Sequence, residues 1–196
     1  MSGQTVRMLV VSDLHTVSDQ LKRNESLARS YTDDPRYNAL AAAKAFIETE
    51  KIKADVLLCP GDLAHTVDAE GMEYAWRLLH EMAKLLGATV VATAGNHDVI
   101  RPSKEGTPDY DPVATLRGLY PPFPSGDDAA RELYFSEDYA VVVGDLWRIV
   151  TLNSCAEHGL PDAHDHGSVR ERTIDELKDV LSENAREVNI LLCHHH

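Results

Sequence analysis

The chain has 196 residues, 43% hydrophobic and 26% charged, a mixture able to bury one sizeable core, which excludes a disordered, collagenous or disulfide-built protein. With 19 Lys and Arg against 32 Asp and Glu, the formal charge is -13; this argues against a broad electrostatic footprint for duplex DNA or an anionic membrane. Cys59, Cys155 and Cys193 are too few and too scattered for a disulfide framework or a CxxC zinc site, and the apolar run Met8 to Val11 is too short for a signal-peptide core or a membrane span. The expectation is one cytoplasmic domain over 1–196.

Short apolar runs alternate with longer amphipathic ones. Arg7 to Ser12, Ala54 to Cys59 and Ala88 to Ala94 read as buried strands, since each is rich in branched residues and closes on turn or polar residues. Between them, Tyr37 to Lys51 and Glu70 to Leu86 carry apolar residues at spacings of three and four, with Gly87 as a stop for the second helix. From Asn96 to about Asp128 six prolines punctuate a loop around one short helical stretch, Pro112 to Gly118. Tyr139 to Val143 and Trp147 to Asn153 then read as an antiparallel hairpin about Gly144-Asp145-Leu146, from which a second sheet is expected. Thr173 to Asn184 reads as a helix with Thr173 as N-cap, and Val188 to Cys193 as a last buried strand. Strands alternating with helices indicate an α/β architecture with parallel central strands.

Four of these strands end in side chains able to bind a metal. Val10-Val11-Ser12 runs into Asp13-Leu14-His15, Leu57-Leu58-Cys59-Pro60 into Gly61-Asp62, Val91 to Ala94 into Gly95-Asn96-His97-Asp98, and Leu191-Leu192-Cys193 into His194-His195-His196. Carboxyl ends of parallel strands share one rim of a sheet, so these groups converge. Carboxylate, amide and imidazole donors suit hard to borderline divalent cations, and Gly61 and Gly95 permit tight turns beneath them.

In order and spacing, Asp13-x-His15, Gly61-Asp62, Gly95-Asn96-His97-Asp98 and the strand ending in His194-His195 resemble the motifs of the calcineurin-like metallophosphoesterases. The resemblance spans nearly the whole chain. It implies a two-sheet αββα sandwich and a pair of divalent cations, manganese first, with iron or zinc as alternatives. Asp13 and His15 would hold one metal, Asp62 would bridge both, and Asn96 and His194 would hold the second, with His195 as substitute if the register slips by one. A water between the metals would attack phosphorus while His97, oriented by Asp98, serves the leaving group. Arg101, Lys104, His65 and His158 stand as candidate substrate contacts.

Members of this family normally continue into a Gly-His-x-His motif beyond the strand that ends here at His194. The sequence stops at His196, which gives the expectation of a C-terminally shortened domain; His164-Asp165-His166 has the spacing but precedes His194. The implied activity is hydrolysis of a phosphomonoester or phosphodiester, on a phosphorylated small molecule or nucleotide-like substrate, with no membrane partner. A non-catalytic binding scaffold and a DNA nuclease of the same family are the alternatives, the second disfavoured by the charge.

Overall fold

The computed structural model describes residues 5–99, 111, 113–157 and 167–195. Two three-stranded sheets lie face to face. The first joins β1 (Met8–Val10), β2 (Val56–Cys59) and β3 (Thr89–Ala92) in that order, all parallel; the second joins β4 (Tyr139–Val143), β5 (Trp147–Leu152) and β6 (Val188–Leu192), with β4–β5 antiparallel and β5–β6 parallel.

Side-chain alternation along the strands creates three cores. Leu57, Cys59, Val90 and Ala92 turn to the helices α1 (Ala39–Glu50) and α2 (Ala69–Leu86), meeting Leu40, Ile47, Ala75 and Leu79. Their neighbours Val56, Leu58 and Val91 face Trp147, Ile149 and Leu192 across the space between the sheets. On the far side of the second sheet, Val150 and Leu152 pack on Leu177 of α5 (Glu171–Ser182). The layers therefore run helix, sheet, sheet, helix, and strands covered on both faces read as unbroken apolar runs. Two threonines join the sheets directly: Thr151 Oγ1 donates to the Ala92 carbonyl at 2.5 Å and Thr93 Oγ1 to that of Leu152 at 2.7 Å.

Helix ends follow capping chemistry. Asn38 accepts from the amides of Leu40 and Ala41 at the start of α1, two residues later than the apolar spacing suggests, and Asp68 accepts from Gly71 N at the start of α2. Gly87 ends α2 at φ 76°. The short stretch after Pro112 forms one turn, α3 (Ala114–Arg117).

Two features depart from the sequence reading. A helix, α4 (Asp128–Glu137), follows the proline-rich loop; Asp127 caps it by accepting from Ala130 N at 2.8 Å, and only Ala130 and Tyr134 are buried, too few to give a clear stripe. Thr173 does not cap α5, which begins at Glu171; it lies inside the helix, fully buried, with its hydroxyl donating to the Glu137 carbonyl at 3.1 Å. A hydroxyl with a buried tertiary acceptor gains more there than at a solvated helix start. At the other end of α5, the guanidinium of Arg148, 3% exposed, donates to the carbonyls of Val180 at 2.7 Å, Leu181 at 3.2 Å and Glu183. These are the orphan acceptors of a helix C-terminus, and a cation there opposes the macrodipole.

Candidate metal centre

Backbone pairing continues past the strands and sets the site. Asp13 N donates to the Gly61 carbonyl at 3.3 Å, His15 N to that of Asp62 at 2.9 Å and Thr16 N to that of Leu63 at 3.0 Å, so the segments after β1 and β2 run side by side over the rim. Asp13, His15 and Asp62 sit at φ 55°, 43° and 55°, left-handed conformations that turn successive side chains to one side. Gly61, at φ 114°, has no room for a side chain: a Cβ there would lie 2.7 Å from Gly95 N and 2.8 Å from His194 Nδ1. Gly95 is as tightly held, against Asp62.

Asp62 is at the centre and 3% exposed. Its Oδ2 lies 3.4 Å from His15 Nε2, and its Oδ1 lies 3.6 Å from His194 Nε2 and accepts from His97 N at 3.0 Å. Carboxylate and imidazole atoms of Asp13, His15 and Asp62 all fall within 4.8 Å of one another. His194 Nε2 approaches Asn96 Oδ1 to 3.1 Å, while its Nδ1 donates to the Pro60 carbonyl at 2.9 Å. Asp13, His15, Asp62, Asn96 and His194 are thus brought together, linked through Asp62. His195 turns the other way, its Nδ1 3.0 Å from Ser154 Oγ.

The donor set fits a divalent cation. With Nδ1 of His194 donating to the Pro60 carbonyl, Nε2 is the nitrogen left to serve as a ligand, and it faces the oxygens of Asn96 and Asp62. Three acceptors aimed at one another repel unless a cation or proton lies among them. His15 Nδ1 is likewise buried without a hydrogen-bond partner.

Asp98 is fully buried and sits behind the rim rather than on it. Its Oδ1 accepts from Ala64 N and its Oδ2 from Gly95 N, both at 3.0 Å. The carboxylate therefore ties the turn after β3 to the turn after β2. Burial pushes its pKa up to about 7; the amides of Ala64 and Gly95 oppose this and the neighbouring Asp62 charge adds to it.

Three residues complete the surroundings. His65, a candidate substrate contact from the sequence, stacks its ring on His97 with centroids 5.5 Å apart, and its Nε2 lies 3.1 Å from Glu25 Oε2. The His97 ring also meets His15 edge-on at 4.6 Å. Glu25 carried no signal, since it comes from an irregular segment before α1. Tyr134 of α4 is fully buried; its hydroxyl accepts from Ala94 N at 2.8 Å and pairs with Thr93 Oγ1 at 2.9 Å, fixing the residue that precedes Gly95-Asn96. Arg101, Lys104, His158 and the His164-Asp165-His166 triplet lie outside the described residues.

A two-layered sheet core with oxygen and imidazole donors gathered at its strand ends defines a metal-centre scaffold. A sequence profile of the calcineurin-like phosphoesterase family matches residues 6–196, and the chain belongs to that family. Among curated proteins it is similar to the 3',5'-cyclic adenosine monophosphate phosphodiesterase CpdA of Haemophilus influenzae, 27% identical over 150 residues, covering 76% of this chain and 43% of CpdA. The chain thus spans less than half the length of that relative. Among solved structures, purple acid phosphatase PPD1 from yellow lupin seeds aligns at a TM-score of 0.47 with 12% identity, over 95% of this chain and 29% of the phosphatase. No helix among the described residues is long and apolar enough to cross a membrane.

Proposed function

We propose that this chain hydrolyses phosphomonoesters or phosphodiesters of small, nucleotide-like molecules, using two divalent cations held by Asp13, His15, Asp62, Asn96 and His194. The observation that carries the reading is the placement of Asp62: one carboxylate oxygen faces His15 and the other faces His194, whose Nε2 also meets Asn96, an arrangement suited to a ligand shared between two positions. Oxygen and imidazole donors without thiolate favour manganese, with iron or zinc as alternatives. Bound there, the cations would supply Lewis acidity that activates water and offsets the negative charge building on the phosphoryl oxygens.

The remaining steps belong to the chain itself. His97 has its backbone amide anchored on Asp62 and its half-buried ring against His15 and His65, which places an imidazole beside the donor cluster to give a proton to the departing oxygen. Asp98 is a positioning residue: it holds the amides of Ala64 and Gly95, and so the relative placement of Asp62 and Asn96. The free thiols of Cys59 and Cys155, both buried, support a reducing, cytoplasmic setting; burial pushes the Cys59 thiol up to about 12, far from a reactive thiolate.

The test is hydrolysis of p-nitrophenyl phosphate and of its bis ester by the chain with and without manganese, beside equilibrium dialysis of the metal. Expected are turnover that needs the metal, two ions per chain, and loss of both in Asp62→Ala. Undiminished hydrolysis in Asp62→Ala would overturn the reading; metal-free protein with no turnover would favour a binding scaffold.

A further inference from the structure

A cavity of about 630 Å³ opens beside Asp13 and His15, between α1 and the irregular segment 23–29. Its floor is apolar: Leu14, Leu40 and Ala43 line it, and Leu27, 73% exposed, presents a bare side chain at its edge. A volume in this range suits a compact organic ligand.

The charged residues on its wall are largely committed to the protein. The Arg29 guanidinium donates to the carbonyls of Arg23 at 2.7 Å, Tyr37 at 3.1 Å and Ser26 at 3.3 Å. Glu25 is engaged by His65 at 3.1 Å. What remains for a ligand is apolar surface, the Asn24 amide and the basic Arg23 at the mouth. A second phosphate or a polyanion would find Glu25 and Asp13 on this wall and little free positive charge to meet it.

The wall is also preformed. Val17 N donates to the Ala28 carbonyl at 3.2 Å and Ser30 N to that of Val17 at 3.0 Å; Ser26 Oγ donates to the Leu14 carbonyl at 3.1 Å, and Ala39 N to that of Leu27 at 2.9 Å. Asn38, buried, donates its side-chain amide to the carbonyls of Arg29 and Thr32, both at 2.7 Å. A segment held at so many points needs little ordering when a ligand enters. The Glu25–His65 contact then joins this wall to the ring that stacks on His97.

Resting on the phosphoesterase reading above, we infer that this cavity receives the organic group of the ester, and that the preferred substrates are phosphoesters of a compact, uncharged ring system. The ring would lie on Leu14, Leu40 and Ala43 under Leu27, with its phosphate directed to Asp13 and His15.

The test measures binding rather than turnover. The manganese-loaded chain is titrated calorimetrically with 1-naphthylphosphonate and with methylphosphonate, two non-hydrolysable ligands that differ in the organic group. Covering a bicyclic ring predicts an affinity ratio of at least about tenfold in favour of the naphthyl compound. Ala43→Phe, which fills the floor, should bring that ratio toward one. Leu27→Ser, at an exposed position where folding is not at stake, should lower it about threefold. A ratio near one in the unsubstituted chain, or a ratio unmoved by both substitutions, would overturn the assignment of the cavity while leaving the phosphoesterase reading in place. Failure of both phosphonates to bind a chain that has taken up manganese would overturn that reading, and this inference with it.

Discussion

The turns that follow β1, β2 and β3 carry four of the candidate ligands, three of them at left-handed φ, whereas the second sheet delivers His194 directly past the end of β6. In the second half of the chain the described non-glycine residues at positive φ are Asp138 and Asn184, both just beyond helices. Left-handed backbone costs an ordinary residue about 1–2 kcal/mol, so among the described residues strain is concentrated at the first sheet's rim. Around it lie the devices that hold strain in place: the Asp98 clamp, the close approach of Gly61 and Gly95, and the Tyr134 hydroxyl. The second sheet has ordinary stabilising features instead, Arg148 over the end of α5 foremost.

The comparison breaks most visibly at Asp62. Asp62→Asn should lower metal-dependent turnover by about 10³-fold or more, yet shift the melting temperature only slightly, because relieving carboxylate repulsion with Asp98 offsets the weaker bond to His97 N; steady-state rates and calorimetry check the two halves. Gly95→Ala puts a methyl group against Asp62 and should cost about 3 kcal/mol with loss of metal binding, read by urea denaturation and dialysis. Arg148→Ala leaves three carbonyls without a donor and should cost about 2–3 kcal/mol with metal affinity unchanged; a change in metal affinity would show the halves to be coupled more tightly than described. Tyr134→Phe should cost about 1–2 kcal/mol and lower turnover severalfold, since Ala94 N loses its acceptor.

The smallest effect is at Asp68. Its pKa stands below the usual carboxylate value: burial raises it, but the amides of Ser18 and Gly71 and the Ser18 hydroxyl together lower it more. A depressed folded-state value means stability present above about pH 4 and lost as the pH falls through the folded value. Asp68→Ala should therefore cost about 1 kcal/mol at neutral pH, and the difference from the unsubstituted chain should vanish in acid.

Strands and the positions of the candidate donors were legible because both rest on local pattern: a buried strand is an apolar run, and a polar residue at its carboxyl end needs no knowledge of distant residues. Helix α4 was not, because its two buried residues, Ala130 and Tyr134, leave most of its surface polar. Thr173 looked like a cap because threonine caps helices, but the Glu137 carbonyl that claims its hydroxyl lies 36 positions away. For the same reason Asp98 read as a partner of His97 on the rim, while its carboxylate is taken up by two backbone amides behind it. His65 and Glu25 meet across 40 residues of sequence, and neither position bears a periodic or motif signal.

The contact between His194 and the Pro60 carbonyl spans 134 positions, and that between His194 and Asn96 spans 98. Long loops must close before such contacts form, so they are late events on the way to the native state. A ribosome that has released only the early strands holds a nascent chain with the segments bearing Asp13, His15, Asp62 and Asn96 but without the imidazole of His194. Under the proposed function, metal loading would act as a checkpoint on completion: docking of β6 and capture of an ion would reinforce one another, and a chain stalled before that strand would gain no such reward.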